Sequence, residues 1–192
     1  MDTKTLLEKL KKGLKRRAFY SVLLVSLFLT LSVYLLSPYF AIGFSNTPSM
    51  NAYFFLNEKY TANHPVIEQG KAVVFPAPKG FYLWKKYYNA NGLHYPHKLF
   101  LAKYVGCKQG EILNTIGRKD FCNGRFLSVI PRYAVLIPKP HLKIKGFPVW
   151  HGYKIPEGYF YAVSPDKYGL DSRYFGLVKT SAVLYDTVPI RG

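Results

Sequence analysis

Acidic residues are scarce in this sequence. Ten Asp and Glu stand against 27 Lys and Arg, which gives a formal net charge of +17. Seven of the basic residues precede residue 18, leaving 20 basic and eight acidic residues after it, a net charge of +12. A domain of this charge is attracted to anionic lipid headgroups or to acidic partners. Nucleic acid is the competing partner, but no aromatic RNA-binding motif or basic helix is present, so we expect no nucleic acid.

Cysteine is also scarce, and the sequence contains two, Cys107 and Cys122. No Cys-x-x-Cys pair occurs, and the pair His94 and His97 has no accompanying Glu of the zinc-protease kind. We therefore expect no metal and no cofactor. In an oxidising compartment a disulfide between the two cysteines would close a loop of about 15 residues and stabilise the fold by about 3 kcal/mol. A pair of free thiols is the alternative.

The sequence also lacks a Gly-x-Ser-x-Gly elbow, and none of its five histidines lies in a recognisable motif, which disfavours a Ser/His/Asp hydrolase. Helical periodicity is weak after residue 38. Short segments rich in β-branched and aromatic residues predict strands at 71–75, 98–105, 133–137, 158–163 and 181–187. The stretch 138–156 is broken by Pro and Gly and is predicted to be irregular. The expected fold is mainly β, an antiparallel β domain with long loops.

One long apolar run is present. Residues 18–36 contain no charged residue, Pro or Gly, and a helix of that length is about as long as a bilayer core is thick. The basic residues before it place the N-terminus in the cytoplasm by the positive-inside rule. The chain then divides into a cytoplasmic basic segment at 1–17, a transmembrane helix at 18–37 and an exported domain at 38–192. A cleaved secretory signal is the alternative, although the run exceeds the usual apolar region and no small-x-small site clearly follows.

A serine and a lysine lie where hydrolytic chemistry can be expected. Ser49 stands in Thr47-Pro48-Ser49-Met50 beyond the apolar run, and Lys103 interrupts an apolar stretch that runs from residue 99 to 105. Burial would lower the pKa of Lys103, and a neutral amine can accept the proton of a serine hydroxyl. The ordinary alternatives are a serine in a turn or helix cap and a lysine on a sheet edge.

A third segment, Leu170-Asp171-Ser172-Arg173-Tyr174-Phe175-Gly176, combines an acid, a hydroxyl, a guanidinium, two aromatics and a glycine. The other two motifs are the Ser49 tetrad and the run 102–106 around Lys103, followed by Gly110-Glu111. In this order after an N-terminal apolar run, they make the chain resemble the type I signal peptidase family, serine proteases with a Ser/Lys dyad. The resemblance covers most of the chain beyond residue 20. It implies a β-sheet catalytic domain of signal-peptidase type with one N-terminal transmembrane helix.

The resemblance also implies roles for the site residues. Ser49 would be the nucleophile and Lys103 the general base, while the Ser49 backbone N–H and the Thr47 hydroxyl would bind the oxyanion. Asp171 and Arg173 would support the site, either by pairing with each other or by tying their loop to the catalytic floor; a purely structural ion pair is the alternative. Met50 and the aromatics after it would line the cleft, dip into the lipid interface or lie in the core.

One position departs from the family pattern. Many relatives carry a hydroxyl two residues before the Asp of the last motif, where it helps to orient the lysine, but here that position is Gly169. Ser164, Tyr168 or Ser172 would have to substitute. The short length, the single anchor and the replacement of a Gly-Asp-Asn run by residues 163–166 make the chain most similar to the conjugative-transfer (TraF-type) branch.

The substrates implied by this resemblance are exported precursor proteins, at the surface of the inner membrane, with membrane lipid as a second partner and the catalytic domain in the periplasm. The conjugative-transfer branch is known for maturing a pilin, in some systems by joining its ends into a ring. A housekeeping type I signal peptidase is one alternative. Another is a scaffold of a secretion or mating apparatus that keeps the fold without activity, which would be consistent with Gly169.

Overall fold

The structure, a computed structural model, describes residues 3–45, 50–59, 67–78, 99–131, 134–136, 139–142, 147–167 and 169–190. Contacts divide the chain into two units, Met1–Phe40 and Ala41–Gly192.

The first unit is dominated by one helix, α1, which runs from Thr3 to Leu36. It includes the basic residues before residue 18 as well as the apolar run, so the helix begins well before the predicted span. It ends just before Ser37-Pro38, as expected because a residue that precedes proline is restricted to extended conformations. Its segment Leu14–Leu36 contains an 18-residue window with a mean hydropathy of 2.2 and is long and apolar enough to cross a bilayer.

The rest of the described chain is built from short antiparallel strands. They are β1 Phe40–Phe44, β2 Phe54–Lys59, β3 Ala72–Pro76, β4 Phe100–Cys107, β5 Ile112–Ile116, β6 Lys119–Cys122, β7 Arg125–Val129, β8 Ala134–Leu136, β9 Lys139–Leu142, β10 Tyr153–Lys154, β11 Tyr159–Val163, β12 Val178–Lys179 and β13 Tyr185–Ile190. One helical turn, α2, spans Ser172–Phe175, and a 3₁₀ turn spans Thr180–Ala182.

Among the described residues these strands form three sheets. The main sheet has the order β1-β2-β13-β3-β4-β11-β12, a second sheet has the order β10-β5-β6-β7, and β8 pairs with β9. The main sheet brings together strands far apart in sequence, since β13 lies between β2 and β3. In the same sheet β4, which carries Lys103, lies between β3 and β11 and is not an edge strand.

The predicted mainly antiparallel β fold with one N-terminal apolar helix is confirmed. Strands occur in all five predicted segments, although residues 98, 133 and 137 lie outside the described ranges. The strand predicted at 181–187 begins later than expected, because Thr180–Ala182 forms a 3₁₀ turn and β13 begins at Tyr185. The prediction that 138–156 is irregular was wrong in part. β9 and the two-residue β10 lie there, where cross-strand pairing outweighs the weak local propensity, whereas 147–152 contain no helix or strand; residues 138 and 143–146 lie outside the described ranges.

The two faces of β4 pack against different clusters. Leu101 and Val105 belong to the main hydrophobic cluster, with Val73, Phe75 and Phe160 at its centre. Ala102 and Tyr104 point the other way, as alternation along a strand requires, and pack against a second cluster. Lys103 shares the face of Leu101 and Val105, so its aliphatic stem lies among apolar side chains.

A disulfide links the two larger sheets. Cys107 at the end of β4 is bonded to Cys122 at the end of β6, with 5.6 Å between their Cα atoms. The bond lies in a third cluster that includes Leu113, Ile155 and Tyr161. It holds the four-stranded sheet against the strand that carries Lys103.

Candidate active site

Lys103 is a buried amine in the middle of the main sheet. It pairs with Val73 of β3, and only 3% of its surface is exposed. Burial lowers the pKa of Lys103 from 10.5 to about 8, while the negative charge of Asp171 opposes that shift. The cause is desolvation, which disfavours the charged form. At neutral to mildly basic pH a measurable fraction of this amine is therefore unprotonated.

Thr47 and Ser49 lie outside the described residues. Met50, the next residue along the chain, is fully buried in a cluster with Ala52, Phe55 and Ala72. Ala102 and Tyr104, the two neighbours of Lys103 in sequence, pack against that cluster. Of the three environments considered for Met50, the structure shows the core.

The aromatics that follow Met50 separate by face. Phe55 is buried, whereas Tyr53 and Phe54 are exposed. For Phe54 and Phe55 this separation follows the alternation of side chains along β2, which places successive residues on opposite faces of the sheet, whereas Tyr53 precedes the strand. Phe55 is thus a core residue, and Tyr53 and Phe54 belong to the outer surface.

Asp171 and Arg173 form a buried, bidentate ion pair. Arg173 donates from Nε to Asp171 Oδ1 at 2.8 Å and from Nη2 to Oδ2 at 2.7 Å. Asp171 also caps α2, because its Oδ1 accepts the backbone N–H of Arg173 at 3.0 Å. Both side chains are almost completely buried. In such a pair each of two guanidinium nitrogens donates to one carboxylate oxygen, which fixes the relative orientation of the two side chains.

Arg173 also binds the surrounding loops, through Nη1 and through the same Nη2 that contacts Asp171. Its guanidinium donates to the carbonyl oxygens of four residues at 2.8–3.0 Å: Val129, Asp166, Lys167 and Gly169. The sequence left two options for this pair, mutual contact or a tie to the floor of the site, and the geometry includes both. Residues 166–167 and 169–173 are thereby tied together next to β11, which pairs with β4.

The hydroxyl candidates near Gly169 differ in their surroundings. The Oγ of Ser172 accepts the backbone N–H of Ala162 at 2.8 Å. Ser164 is buried, and its backbone N–H donates to Asp171 Oδ2 at 2.7 Å. Tyr168 lies outside the described residues. Ser164 and Ser172 therefore both border the ion pair.

Sequence reasoning missed a buried carboxylate. Asp120 is fully buried and accepts hydrogen bonds of 2.7 Å from the Thr115 hydroxyl and the Tyr161 hydroxyl. Burial raises the pKa of Asp120 and also raises that of Tyr161. No local pattern could have identified this group, because Asp120 and Tyr161 meet only through the packing of β6 against β11.

One group of side chains has the composition of a metal site. Cys107, Glu111 and Cys122 place their possible ligand atoms within 4.8 Å of one another. However, metal binding by cysteine requires thiolates, and both sulfur atoms are engaged in the disulfide. His94 and His97, considered from the sequence, lie outside the described residues.

An antiparallel β domain preceded by an apolar helix, with a buried lysine of lowered pKa in a central strand, has the features of a membrane-anchored protease of signal-peptidase type. The sequence model of the family described as "Signal peptidase, peptidase S26" matches residues 14–188. The chain belongs to this family, whose activity is that of a serine-type signal peptidase acting on exported precursor proteins. Among curated proteins no match to the sequence is found.

Proposed function

We propose that this chain is a serine endopeptidase in which Lys103 activates Ser49. The observation that carries the proposal is the environment of Lys103, an almost completely buried amine with a pKa of about 8. A general base works best when its pKa lies near the working pH. The burial of Met50 in the cluster that borders Ala102 and Tyr104 supports the placement of Ser49 near this strand.

The reaction would proceed in two steps. The Oγ of Ser49 attacks the scissile carbonyl carbon while its proton passes to Lys103 Nζ. The C–N bond then breaks as the Lys103 ammonium returns that proton to the leaving amine. In the second step Lys103 Nζ takes a proton from water as the water oxygen attacks the acyl carbonyl carbon. The ester C–O bond then breaks as the Lys103 ammonium returns that proton to Ser49 Oγ, so both groups regain their starting states. The Ser49 backbone N–H and the Thr47 hydroxyl would hold the oxyanion, and the loss of one such donor typically costs about 10²–10³ in turnover.

The ion pair of Asp171 and Arg173 supports this chemistry electrostatically. After burial, which lowers the pKa of Lys103, the next largest effects are the charge of Asp171, which raises it, and that of Arg173, which lowers it. Because the two charges shift the pKa of Lys103 in opposite directions, burial determines the direction of the net shift. An unpaired carboxylate at this position would favour the protonated, inactive form of the lysine.

Membrane lipid is the proposed second partner, and one face of the main sheet supports it. Val188 lies opposite Leu56, and Ile190 lies opposite Phe54, so these four side chains share a face. The rings of Phe44 and Phe54 lie 5.5 Å apart. The exposed apolar side chains of this face, hereafter the outer face, are Ile42, Phe44, Phe54, Leu56, Val188 and Ile190.

A contiguous exposed apolar surface indicates a site of interaction with another protein or with a membrane. Three residues of chain separate the apolar helix α1 from β1, the strand that carries Ile42 and Phe44. The net charge of +12 beyond residue 17 adds attraction to anionic headgroups. A tryptophan at Ile42 should be quenched by brominated lipid in reconstituted vesicles more strongly than a tryptophan at Ile116. Ile116 is the same residue type and is also largely exposed, 68% against 79% for Ile42, but it lies on the second sheet, so equal quenching at both positions would contradict lipid contact of the outer face.

We further propose that the N-terminus is cytoplasmic, that the catalytic domain is periplasmic and that the substrate belongs to conjugative transfer, a pilin in particular. The basic residues before residue 18 support the orientation. The single anchor and the run Val163-Ser164-Pro165-Asp166 support the branch. Masses of the products distinguish the two reaction types, because hydrolysis adds one water to the retained fragment whereas ring closure adds none.

Processing of exported precursors by the detergent-solubilised protein tests the enzyme. Ser49→Ala and Lys103→Ala should each abolish cleavage while the protein still folds. Ser181→Ala and Lys179→Ala are matched controls, since both residues are exposed and should leave cleavage unchanged. Cleavage that survives both active-site changes would reject the dyad. A wild-type protein that cleaves no precursor would favour the scaffold instead.

A further inference from the structure

Gly169 permits a close approach by Ser164. A Cβ atom added to Gly169 would lie 2.2 Å from Ser164 Oγ and 2.5 Å from Ser164 Cβ. Neither distance is possible between real atoms, so a side chain at position 169 and the side chain of Ser164 cannot share this space. The φ angle of Gly169 is outside the left-handed region, so the backbone itself does not require glycine. The glycine is explained by the position of Ser164.

The strand register directs Ser164 toward Lys103. Tyr104 of β4 pairs with Val163 of β11. Ser164 is the first residue after β11, and continuing this register by one residue places it opposite Lys103. Facing residues of an antiparallel pair project from the same side of the sheet, with Cβ atoms about 4.5–5.5 Å apart. Both side chains are buried, with 3% and 4% of their surfaces exposed.

Asp171 fixes the backbone of Ser164 in this neighbourhood. Its Oδ2 accepts the Ser164 N–H at 2.7 Å and, on the same oxygen, the Arg173 Nη2 donor at 2.7 Å. The charge of Asp171 also acts on Lys103, where it opposes the stronger effect of burial on the pKa. The same carboxylate is thus bonded to Ser164 and close enough to Lys103 to affect its protonation.

Ser172, the other candidate hydroxyl among the described residues, is less suited to accept a hydrogen bond from the Lys103 amine. Ser172 Oγ already accepts the backbone N–H of Ala162, which pairs with Val105 rather than with Lys103. The register therefore favours Ser164 over Ser172.

We propose that Ser164 is the positioning residue for Lys103 and that residue 169 is glycine so that the Ser164 hydroxyl can occupy this space. This inference rests on the proposed function. The neutral lysine amine carries two N–H donors and one lone pair. When Ser164 Oγ accepts one N–H, the rotation of the amine is restricted and the lone pair stays available for the proton of Ser49. Small misplacement of a catalytic group costs up to about 10²-fold in rate.

Ser164→Ala tests the role in the detergent-solubilised full chain, with a quenched-fluorescence peptide that carries alanines before the scissile bond. We expect kcat to fall about 10–100-fold with KM unchanged. The apparent pKa of the rate profile should fall below that of the wild type, because the hydroxyl oxygen stabilises the ammonium form more than the neutral amine. A purely structural role would lower the melting temperature without moving the pH profile. An unchanged kcat and pH profile would overturn the proposal.

An exchange of the two residues makes the test independent of simple damage to the fold. Gly169→Ser alone should lose activity, because the new side chain meets Ser164. In Ser164→Gly/Gly169→Ser the nearest remaining atom to the new Cβ is Asp166 O at 3.2 Å, so a small shift of that carbonyl accommodates the side chain. This double variant should recover at least tenfold over Ser164→Gly. The matched control Ser164→Gly/Gly169→Ala fills the same space without a hydroxyl and should recover nothing; equal recovery by both would refute the inference.

Failure of the proposed function is separable from failure of this inference. If the wild type shows no Ser49-dependent cleavage, the enzyme proposal fails, and the titration of Lys103 alone decides the role of Ser164. Lysine labelled with ¹³C at Cε reports that titration, with Lys103→Arg identifying its signal. Ser164→Ala should lower the midpoint, and an unchanged midpoint would reject the contact.

Discussion

The stability of the protein should depend on pH through Lys103. The pKa of this amine is about 8 in the folded protein against 10.5 without burial. Between these two pH values the unfolded chain holds a proton at this site that the folded protein has released, so the free energy of unfolding rises with pH. Below pH 8 both states are protonated, and the buried charge lowers stability by a constant amount.

The magnitude follows from the difference in pKa. Each unit corresponds to about 1.4 kcal/mol, so the full shift amounts to about 3 kcal/mol. Lys103→Met removes the charge and keeps most of the volume. At pH 7 the variant should therefore be more stable than the wild type by up to about 3 kcal/mol. From pH 7 to pH 9.5 this advantage should shrink by about 2 kcal/mol, or roughly 4–8 °C in melting temperature for a chain of this size.

Thermal unfolding of the detergent-solubilised full chain, followed by near-ultraviolet circular dichroism, measures this difference. Lys179→Met is the matched control, because Lys179 is exposed and its removal should give a difference that does not change with pH. A pH-independent difference for Lys103→Met would refute the reasoning, since it would mean that the amine keeps its proton throughout and cannot act as a base in this range.

Three further outcomes are expected. The kcat/KM for peptide cleavage should rise about tenfold per pH unit below pH 8 and level off above it, and a profile that is flat from pH 6 to 9 would contradict a base with this pKa. Asp171→Ala should lower the free energy of unfolding by about 3–5 kcal/mol because it leaves the buried Arg173 charge unpaired, whereas exposed Glu157→Ala should change it by less than about 0.5 kcal/mol. Replacement of both Cys107 and Cys122 by Ser should cost about 3 kcal/mol in thermal unfolding, and an unchanged melting temperature would show that the 15-residue loop is already constrained in the unfolded chain.

Local features of the chain were predictable from the sequence. The apolar run, the alternating strands and the two isolated cysteines depend on near neighbours, so periodicity and spacing are sufficient to identify them. The ordered motifs around Ser49, Lys103 and Asp171 were readable for the same reason. The irregular assignment of 138–156 missed β10, because that strand is held by its pairing with β5, far away in sequence.

The arrangement around the lysine could not be read in this way. Burial of Lys103 depends on β3 and β11, which flank its strand from positions about 30 and 60 residues away. The carbonyl partners of Arg173 and the contact of Asp120 with Tyr161 likewise join segments that meet only in the folded sheet.

The sequence by itself determined the apolar helix, the β class and the order of the candidate site residues, because each of these is encoded over a few consecutive positions. Only the tertiary structure decided how far the Lys103 pKa falls and which hydroxyl lies beside the glycine at 169. Desolvation and close contact are set by atoms that come from distant parts of the chain, and strand pairing alone brings them together.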